Sequence, residues 1–269
     1  MRHAWLIIAH NEFEILQRLV TMLDAPESDF YIHYDKKVQS IPVIYTSKGR
    51  LFVLDGRIDV RWGSVSQIRC EYALFEVAAA NGSYDFFHII SGTTLPLEPF
   101  PQLDAWFMAH AGKNIFSGLC QDQPYQETLK VRRYNLFLHD YTSRNTIRQR
   151  TSQFLWRAAI AVQRILGIEA NRGKTFYKAS NWISLTDKTV RYLLSRKKEI
   201  LKTYRFSFCG DEYFVPSTLM ASPLRDTLVC EKHYLLHSIT RSNANTYRID
   251  DYEDLCKTGY LFARKFTDQ

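Results

Sequence analysis

Short apolar runs alternate with longer amphipathic stretches through the first half of the chain. The run 5–9 (Trp-Leu-Ile-Ile-Ala) is bounded by polar residues and has no helical period, which predicts a buried strand. The stretch 12–23 places Leu16, Leu19 and Val20 on one face, which predicts an amphipathic helix. Further strands are predicted at 30–34, 51–54 and 86–90, with a short extended piece at 60–62 and a helix that Ser64 caps.

The alternation of strands and helices predicts an α/β fold whose mainly parallel sheet is covered by helices on both faces. Ligands of such sheets bind beyond the carboxyl ends of the strands. The residues just past the predicted strand ends are 9–11 (Ala-His-Asn), 34–36 (Tyr-Asp-Lys) and 91–93 (Ser-Gly-Thr). We therefore expect a binding site where these three segments meet.

The rest of the chain divides into a basic segment and a second regular region. Residues 121–178 contain a predicted helix at 146–166 and few strand signals. After them, 181–185 predicts a strand, Asp187 begins a helix that runs through Ile200, and a further helix opens at 213–215. Since repeats and low-complexity linkers are absent, we predict a single domain over 1–269, with parts 1–120, 121–178 and 179–269.

Composition excludes several classes of protein. Hydrophobic residues make up 46% of the chain and charged residues 23%, values that argue against wholesale disorder and fibrous architectures. Apolar runs such as 4–9 and 158–162 are far shorter than the roughly 20 residues of a membrane span. The start carries no secretory signal pattern, and the five cysteines are widely spaced, so we expect a cytoplasmic protein with free thiols.

Positive charge is concentrated in one region. The chain carries a formal net charge of +7, while 130–178 holds eleven basic and two acidic residues. Such a field suits an anionic partner, which could be a phosphorylated substrate, nucleic acid or an acidic membrane surface. An ordinary solvated basic face explains the same charge equally well.

Several local patterns resemble known sites without completing them. Gly173-Lys174-Thr175 resembles the end of a phosphate-binding loop, but position 168 is Ile where that loop needs Gly. The spacing of His233 and His237 could place two imidazoles on one helix face for zinc, although no third ligand is evident and ordinary helix histidines explain it better. The acidic run 250–254 could hold a hard cation, but an acidic first turn of a helix reaching Gly259 is the favoured interpretation.

Two further patterns could carry chemistry. Asp211-Glu212 beside Cys209-Gly210 could present a carboxylate at the rim of a cleft as a general base, or it could simply begin a helix. Arg264-Lys265, set between apolar residues, could hold a phosphate or could belong to a surface strand.

These segments, taken in order, carry a family likeness. The set comprises 9–13 (Ala-His-Asn-Glu-Phe), 31–37 (Tyr-Ile-His-Tyr-Asp-Lys-Lys), 60–67 (Val-Arg-Trp-Gly-Ser-Val-Ser-Gln), 84–97, 178–186, 211–212 and 261–266 (Leu-Phe-Ala-Arg-Lys-Phe). Their order and spacing resemble the core-2/I-branching β-1,6-N-acetylglucosaminyltransferase family in its short bacterial form, to which peptide O-xylosyltransferases are related. The likeness spans nearly the whole chain.

The resemblance implies a GT-A-type fold in which 1–120 form a Rossmann-like nucleotide-binding half, 121–178 an inserted basic segment and 179–269 the acceptor and catalytic half. It implies an inverting transfer from a UDP-sugar, usually UDP-N-acetylglucosamine, to a hydroxyl of a glycan, which could be lipid-linked or polysaccharide-type. The family typically works without the metal-binding Asp-x-Asp motif, so no metal or other cofactor is expected. Xylosyl or another UDP-sugar transfer remains the alternative within the fold.

The resemblance also assigns residues. Glu212 matches the general base, Lys265 and Arg248 match the cations on the diphosphate, and Asp35 matches the carboxylate that contacts uridine. The remaining donor-side candidates are Arg264, His10 and Asn11, and the acceptor-side candidates are Thr94, Ser180, Asn181, Trp182, Arg132 and Arg133. Thr94 stands where the family has Asp, and Ala179 where it has Gly, so the identity of the donor sugar stays open.

The basic segment leaves two interpretations of the helix at 146–166. It could rest on an anionic membrane at the inner face, or it could pack on the core while Arg132 and Arg133 line the acceptor cleft. Two alternatives to an enzyme remain. One is a nucleic-acid-binding protein that uses the interleaved aromatics Tyr134, Phe137 and Tyr141, which we do not favour, and the other is a degenerate transferase that only binds glycans.

Overall fold

The computed structural model describes residues 1–121, 124–237, 239–240 and 243–268. Within this part of the chain the helices are α1 Phe13–Met22, α2 Val65–Asn81, α3 Phe100–Ala109, α4 Pro124–Lys130, α5 Thr146–Ile165, α6 Asp187–Ser195, α7 Lys197–Tyr204, α8 Phe214–Met220 and α9 Tyr252–Cys256, with single 3-10 turns at Leu138–Asp140, Gly210–Glu212, Arg225–Thr227 and Ile249–Asp251. The strands are β1 His3–Ala9, β2 Ser28–Tyr34, β3 Arg50–Val53, β4 Phe86–Ser91, β5 Leu95–Pro96, β6 Asn114–Phe116, β7 Cys120–Gln121, β8 Tyr177–Lys178, β9 Ile183–Leu185, β10 Leu228–Cys230, β11 Leu235–Leu236, β12 Ile239–Thr240, β13 Asn243–Ala244, β14 Tyr247–Arg248, β15 Phe262–Ala263 and β16 Phe266–Thr267.

Seven strands form the central sheet in the order β10-β6-β9-β4-β1-β2-β3. The pairs β1/β2, β1/β4, β2/β3 and β6/β10 are parallel, whereas β9 runs antiparallel to both β4 and β6. The α/β class is confirmed, and the mixed, mainly parallel sheet is the arrangement expected for the predicted GT-A-type fold. Because β9 belongs to the part 179–269, the first and last parts of the chain share one sheet.

Two cores lie on opposite faces of this sheet, as the pattern of strands and helices predicts. Alternation along β1 sends Leu6 into the core with α2, α6, α7 and α8, and sends Trp5 and Ile7 into the core with α1 and α3. All three side chains are fully buried, and burial of each stabilises the fold by about 1.5–3 kcal/mol.

The predicted strands 5–9, 30–34, 51–54 and 86–90 are confirmed, each with ends shifted by no more than two residues. Ser64 caps α2 as expected, since its side chain accepts a hydrogen bond from the backbone N–H of Ser66. Three predictions were wrong in detail. The piece 60–62 is not a strand, the single helix predicted from Asp187 through Ile200 is two helices that meet at Arg196, and α9 ends at Cys256, short of Gly259.

The basic segment is built around α5, whose predicted bounds are confirmed to within one residue. Asn145 caps it by accepting hydrogen bonds from the backbone N–H groups of Ile147 and Arg148. No helix in the described part of the chain is long and apolar enough to cross a bilayer. Of the five cysteines, Cys70, Cys209, Cys230 and Cys256 are free thiols.

Candidate active site

The carboxyl ends of β1, β2 and β4 meet at one edge of the sheet. Ala9 lies beside Tyr34, and Ile8 lies beside Ser91. The backbone N–H of Asp35 donates to the carbonyl of Ala9 at 2.9 Å. The three segments predicted from the strand ends therefore come together, and we call this edge the carboxyl edge.

The antiparallel direction of β9 adds the segment 180–182 to the same edge. Ile183 pairs with Ile89, near the end of β4, so the residues that precede β9 lie where β4 terminates. Here Trp182 lies under the guanidinium of Arg264, whose carbon is 4.4 Å from the ring centroid. Ser180 and Asn181 are half-buried beside it.

Pairing of β15 with β5 brings the C-terminal cations to the carboxyl edge. Ala263 lies beside Leu95, which places Arg264 next to Thr94. The Arg264 side chain is buried at 8% exposure, and its Nε donates to Ser91 Oγ at 3.3 Å. Ser91 Oγ in turn lies 3.0 Å from the hydroxyls of both Thr93 and Thr94. Burial lowers the pKa of Arg264 to about 10, so it carries its charge at neutral pH.

Lys265 and Arg248 lie on the adjoining short strands. The Lys265 side chain is exposed. Partial desolvation of its ammonium group lowers its pKa, and the positive charge of Arg264 lowers it further. Arg248 is exposed and lies in register with Thr267, two residues beyond Lys265. The backbone N–H of Phe266 donates to the carbonyl of Thr93 at 2.9 Å, which ties these strands to the end of β4.

His10 and Asp35 form the part of the carboxyl edge nearest β2. Asp35 is buried, and its carboxylate accepts hydrogen bonds from the backbone N–H and the ammonium group of Lys37 at 2.8 and 2.9 Å. Desolvation lowers the pKa of His10, while Asp35 raises it and Lys265 lowers it. His10 therefore lies within electrostatic range of both the predicted uridine contact and the predicted diphosphate contact, and Asn11 follows it on the exposed surface.

Glu212 lies between two lysines. Its Oε2 accepts a hydrogen bond from Lys130 Nζ at 2.8 Å and lies 3.6 Å from Lys178 Nζ. The Glu212 side chain is 30% exposed, so it can still meet a substrate. Its backbone carbonyl accepts the N–H of Ala179 at 3.0 Å, which joins the predicted base to the segment that leads into Ser180.

His237 connects this carboxylate to the cations. Desolvation, Arg264 and Lys265 together lower the pKa of His237 to about 4, while Glu212 acts in the opposite direction. Arg264 Nη1 lies 3.4 Å from His237 Nε2. The predicted base and the predicted diphosphate cations therefore act on one imidazole, which is neutral at pH 7.

Two buried carboxyl groups lie beneath Glu212. Asp211 Oδ2 accepts a hydrogen bond from Gln67 Nε2 at 2.8 Å, whereas Asp211 Oδ1 and both oxygens of Glu71 are buried without a partner among the described residues. Desolvation, followed by the charge of Glu212, raises the pKa of Asp211 to about 7. Desolvation, followed by Asp211, raises the pKa of Glu71 well above its usual value. Asp211, with its pKa near 7, is therefore close to half-protonated at neutral pH.

The motif 60–67 supports the backbone that carries Asp211 and Glu212. Gly63 has φ of 74°, its carbonyl accepts the N–H of Cys209 at 2.8 Å, and a Cβ added to it would lie 2.5 Å from the Phe208 ring. Trp62 packs edge-on against Phe208 at 5.2 Å. Cys209 itself is left-handed, with φ of 51°, a conformation that disfavours residues other than glycine. The segment 208–212 is thus held in a strained form by contacts from 62–67.

Arg132 and Arg133 are engaged inside the basic segment. Arg132 donates to Glu127 Oε1 at 3.0 and 2.7 Å and to the carbonyl of Lys174 at 2.7 Å. Arg133 is buried and donates to the carbonyl of Ile168 at 2.6 Å. Both guanidiniums brace this segment, and their assignment to acceptor binding stays a prediction.

The two candidate metal sites do not assemble. His233 and His237 flank β11 and do not share a helix face, so the helical spacing expected of them was wrong. Within the ranges described above, no three His, Cys, Asp or Glu side chains lie close enough together to hold a metal ion, and this includes 250–254. Asp254, the last residue of that run, forms an exposed ion pair with Lys257 at 2.7 Å.

Sequence reasoning missed Lys130, Lys178 and Glu71 as parts of the site. Glu71 could have been found, because it lies three residues after Ile68 on the apolar stripe of α2, where a carboxyl group is unexpected. The lysines gave no such signal, since eleven basic residues occur between 130 and 178.

Comparisons with known proteins place the chain in a family. No significant match was found among curated protein sequences. The crystal structure of mouse xyloside xylosyltransferase 1 in its apo form is similar over 97% of this chain and 96% of that one, with 10% identity and a TM-score of 0.42. The model of the Core-2/I-Branching enzyme family matches residues 3–254. The chain therefore belongs to the Core-2/I-Branching enzyme family.

Proposed function

We propose that this glycosyltransferase moves a sugar, N-acetylglucosamine in the first instance, from a UDP-sugar to a hydroxyl of a glycan acceptor, with inversion and without a metal ion. Family membership supports the nucleotide-sugar donor and the glycan acceptor. One observation carries the mechanism. Glu212 is fixed by Lys130 at 2.8 Å, and its charge reaches the same imidazole as the cations Arg264 and Lys265.

Glu212 is the proposed general base. Its Oε2 is engaged by Lys130 and Lys178, so we assign Oε1 to the hydroxyl of the acceptor. As the acceptor oxygen attacks the anomeric carbon, its proton moves to Oε1, and the bond between that carbon and the β-phosphate oxygen of UDP breaks. Attack from the face opposite the leaving group inverts the anomeric configuration.

Arg264, Lys265 and Arg248 are the proposed partners of the departing diphosphate. Breaking the glycosidic bond leaves negative charge on UDP, and fixed cations stabilise this charge most strongly where water is scarce. Arg264 is buried between Ser91 and the Trp182 ring, so its charge is already oriented before the donor binds. Lys265 is exposed and can reach out to a phosphate.

Thr94, Ser180, Asn181 and Trp182 are the proposed sugar contacts. Trp182 presents an aromatic ring at the carboxyl edge, and the segment 180–182 is tied to the base through the bond from Ala179 N–H to the Glu212 carbonyl. Asp35, His10 and Asn11 are assigned to the nucleotide. The buried Thr94 hydroxyl is held by Ser91, so it shapes the site with a neutral group where the family has a carboxylate.

Calorimetric titration with UDP and a panel of UDP-sugars, with EDTA throughout, tests the donor site. We expect micromolar binding that survives EDTA and is lost in Lys265→Ala. Lys257→Ala is the matched control, since Lys257 is an exposed lysine paired with Asp254 on α9. Binding that returns only with added manganese would overturn the metal-free mechanism, and a failure to bind UDP under either condition would overturn the proposed function.

Glu212→Gln tests the base. The amide keeps the shape of the side chain but cannot take a proton, so we expect UDP affinity within about twofold of wild type and transfer reduced by roughly 100-fold or more. Product formation from labelled donor, measured on a panel of glycan acceptors, checks this. Turnover at the wild-type rate would remove Glu212 as the base.

A further inference from the structure

One face of α5 is exposed and apolar along the whole helix. Its large side chains are strongly exposed, with values of 79% for Ile147, 70% for Phe154, 52% for Val162 and 83% for Ile165. These positions are separated by seven, eight and three residues, so they lie on one side of the helix. We call this set, together with Leu166 at 65%, the α5 outer face.

The opposite face of α5 is fixed to the protein. Gln163 accepts a hydrogen bond from the Tyr134 N–H at 2.8 Å and donates to the Tyr134 carbonyl at 2.9 Å. Trp156 Nε1 donates to Asn135 Oδ1 at 3.0 Å, and Ile160 is buried. Because these contacts set the rotation of the helix, exposure of the outer face is a property of the fold.

A row of arginines borders this face. Arg150, Arg157 and Arg164 are each seven residues apart, so they lie in line along the helix, and all three are exposed. None of the ion pairs between described residues involves them. An apolar stripe beside a row of guanidiniums is the pattern of a helix that lies in the interface of an anionic membrane.

We propose that the α5 outer face docks on the surface of an anionic lipid bilayer. The apolar side chains enter the boundary between headgroups and acyl chains, and the three arginines contact lipid phosphates. Charge complementarity selects this occupant over a neutral apolar partner.

A second copy of the chain fits the face less well. The helix has 20 residues and is therefore about 30 Å long, so the stripe offers roughly 300 Å² per partner, whereas a stable interface needs about 800 Å². A symmetric pair of such helices would also bring two arginine rows together. Nucleic acid would use the arginines but would leave the apolar side chains exposed.

The inner face of α5 connects the docking surface to the site. Trp156 contacts the ring of Phe208 at 5.9 Å, and the Phe208 N–H donates to the carbonyl of Lys130 at 2.7 Å. Lys130 holds Glu212. Packed side chains and hydrogen bonds therefore connect the docking surface to the proposed base. A role of this connection in reaching acceptors carried on lipid rests on the proposed function, whereas docking itself does not.

Vesicle flotation of the full chain tests docking directly. The vesicles are phosphatidylcholine alone and phosphatidylcholine with 30% phosphatidylglycerol, at two salt concentrations. We expect binding to the anionic vesicles, weakened by salt. Arg150→Gln/Arg157→Gln/Arg164→Gln should weaken it by roughly 100-fold, at about fivefold per arginine. Ile147→Ser/Phe154→Ser/Ile165→Ser should weaken it by at least about tenfold with the charge unchanged.

Two matched variants control for net charge and for apolar surface. Lys188→Gln/Lys198→Gln/Lys202→Gln removes three exposed cations from α6 and α7, and Val43→Ser/Met108→Ser removes exposed apolar side chains from elsewhere. Both should bind vesicles as wild type does. Calorimetry with UDP on every variant keeps donor binding separate from docking.

Three results would overturn the proposal. The first is equal binding by the wild type and the serine variant, and the second is an equal loss in the control variants. The third is a different occupant. A dimer in sedimentation equilibrium that the serine variant abolishes would show a self-interface, and oligonucleotide binding that only the arginine variant abolishes would show a nucleic-acid surface.

Discussion

Replacing Asp211 by Asn should make the protein more stable, and increasingly so as pH rises. Asp211 Oδ1 is buried without a partner among the described residues, and Oδ2 accepts one hydrogen bond, from Gln67. Asparagine has nearly the shape of the protonated acid and cannot ionise. The variant therefore removes the buried charge and keeps the volume.

The pKa of Asp211 gives the magnitude. Burial raises it from 3.8 to about 7, a difference worth about 4 kcal/mol at about 1.4 kcal/mol per pKa unit. Between these two values the folded protein binds a proton that the unfolded chain has released. The free energy of unfolding of the wild type therefore falls as pH rises from about 4 to about 7, by about 1.4 kcal/mol per pH unit from this group. The variant lacks this loss.

Urea unfolding followed by tryptophan fluorescence at pH 5, 6, 7 and 8 measures the effect. We expect the difference between Asp211→Asn and wild type to grow by about 1.4 kcal/mol per unit up to pH 7 and then to level off. Any constant offset from the new amide cancels, because only the slope is tested.

Glu212→Gln is the informative control. The charge of Glu212 is the second cause of the raised pKa of Asp211, after desolvation. Removing it should lower that pKa, so the decline in stability of this variant should end at a lower pH. A difference between Asp211→Asn and wild type that is flat across pH 5–8 would refute the assignment of a buried, protonated carboxyl beneath the base.

Three other predictions concern stability. Gly63→Ala should lower the free energy of unfolding by about 3 kcal/mol, because its φ of 74° and the Phe208 ring leave no room for a Cβ. Gly56→Ala, with open space around it, should leave the free energy of unfolding nearly unchanged, and thermal unfolding of both glycine variants checks this difference. Asp24→Ala should cost about 2 kcal/mol in urea unfolding, since its carboxylate accepts hydrogen bonds from the loop 46–49. Burial lowers the pKa of His88 well below its usual value, so this histidine destabilises the fold as pH falls below 6.5. His88→Gln should therefore reduce the loss of unfolding free energy between pH 7 and pH 5, measured by urea unfolding.

The outline of the sheet was predictable because burial on both faces leaves a strong pattern. The runs 5–9 and 86–90 are short and mainly apolar, and the rule that ligands bind beyond strand ends predicted from the sequence that 9–11, 34–36 and 91–93 meet at one edge. Their register confirms that meeting. Burial of the sheet on both faces is the cause of the apolar runs in the sequence and also of the packing that aligns these strands.

Other elements carried too weak a signal. β6 has only three residues, and α3 is apolar nearly all round, so neither shows a clear period. The break between α6 and α7 lies at Arg196, without a Gly or Pro to mark it. The antiparallel direction of β9, which brings Trp182 to the site, is not encoded in periodicity at all.

The contacts of the proposed base were beyond local reasoning because they are long-range. Lys130 is 82 residues from Glu212, and Gln67 is 144 residues from Asp211. The resemblance to a family could point to Glu212 alone, since it rests on matching segments and not on contacts between them. Only the folded arrangement shows that 60–67 supports the base from below.

The buried carboxyls explain why that support matters. A chain selected for stability alone would carry an amide at Asp211 and an apolar residue at Glu71, since neither carboxyl is fully satisfied. Below pH 7 Asp211 is mainly protonated, because its pKa is raised to about 7, so the proposed base then has less negative charge directly behind it. As pH rises past 7, Asp211 ionises and a negative charge forms beneath Glu212. The buried carboxyl of Asp211 therefore lowers stability beneath Glu212 and also sets how much negative charge lies behind the proposed base. Asp211→Asn removes this ionisable group, so transfer by the variant should depend less on pH above 7.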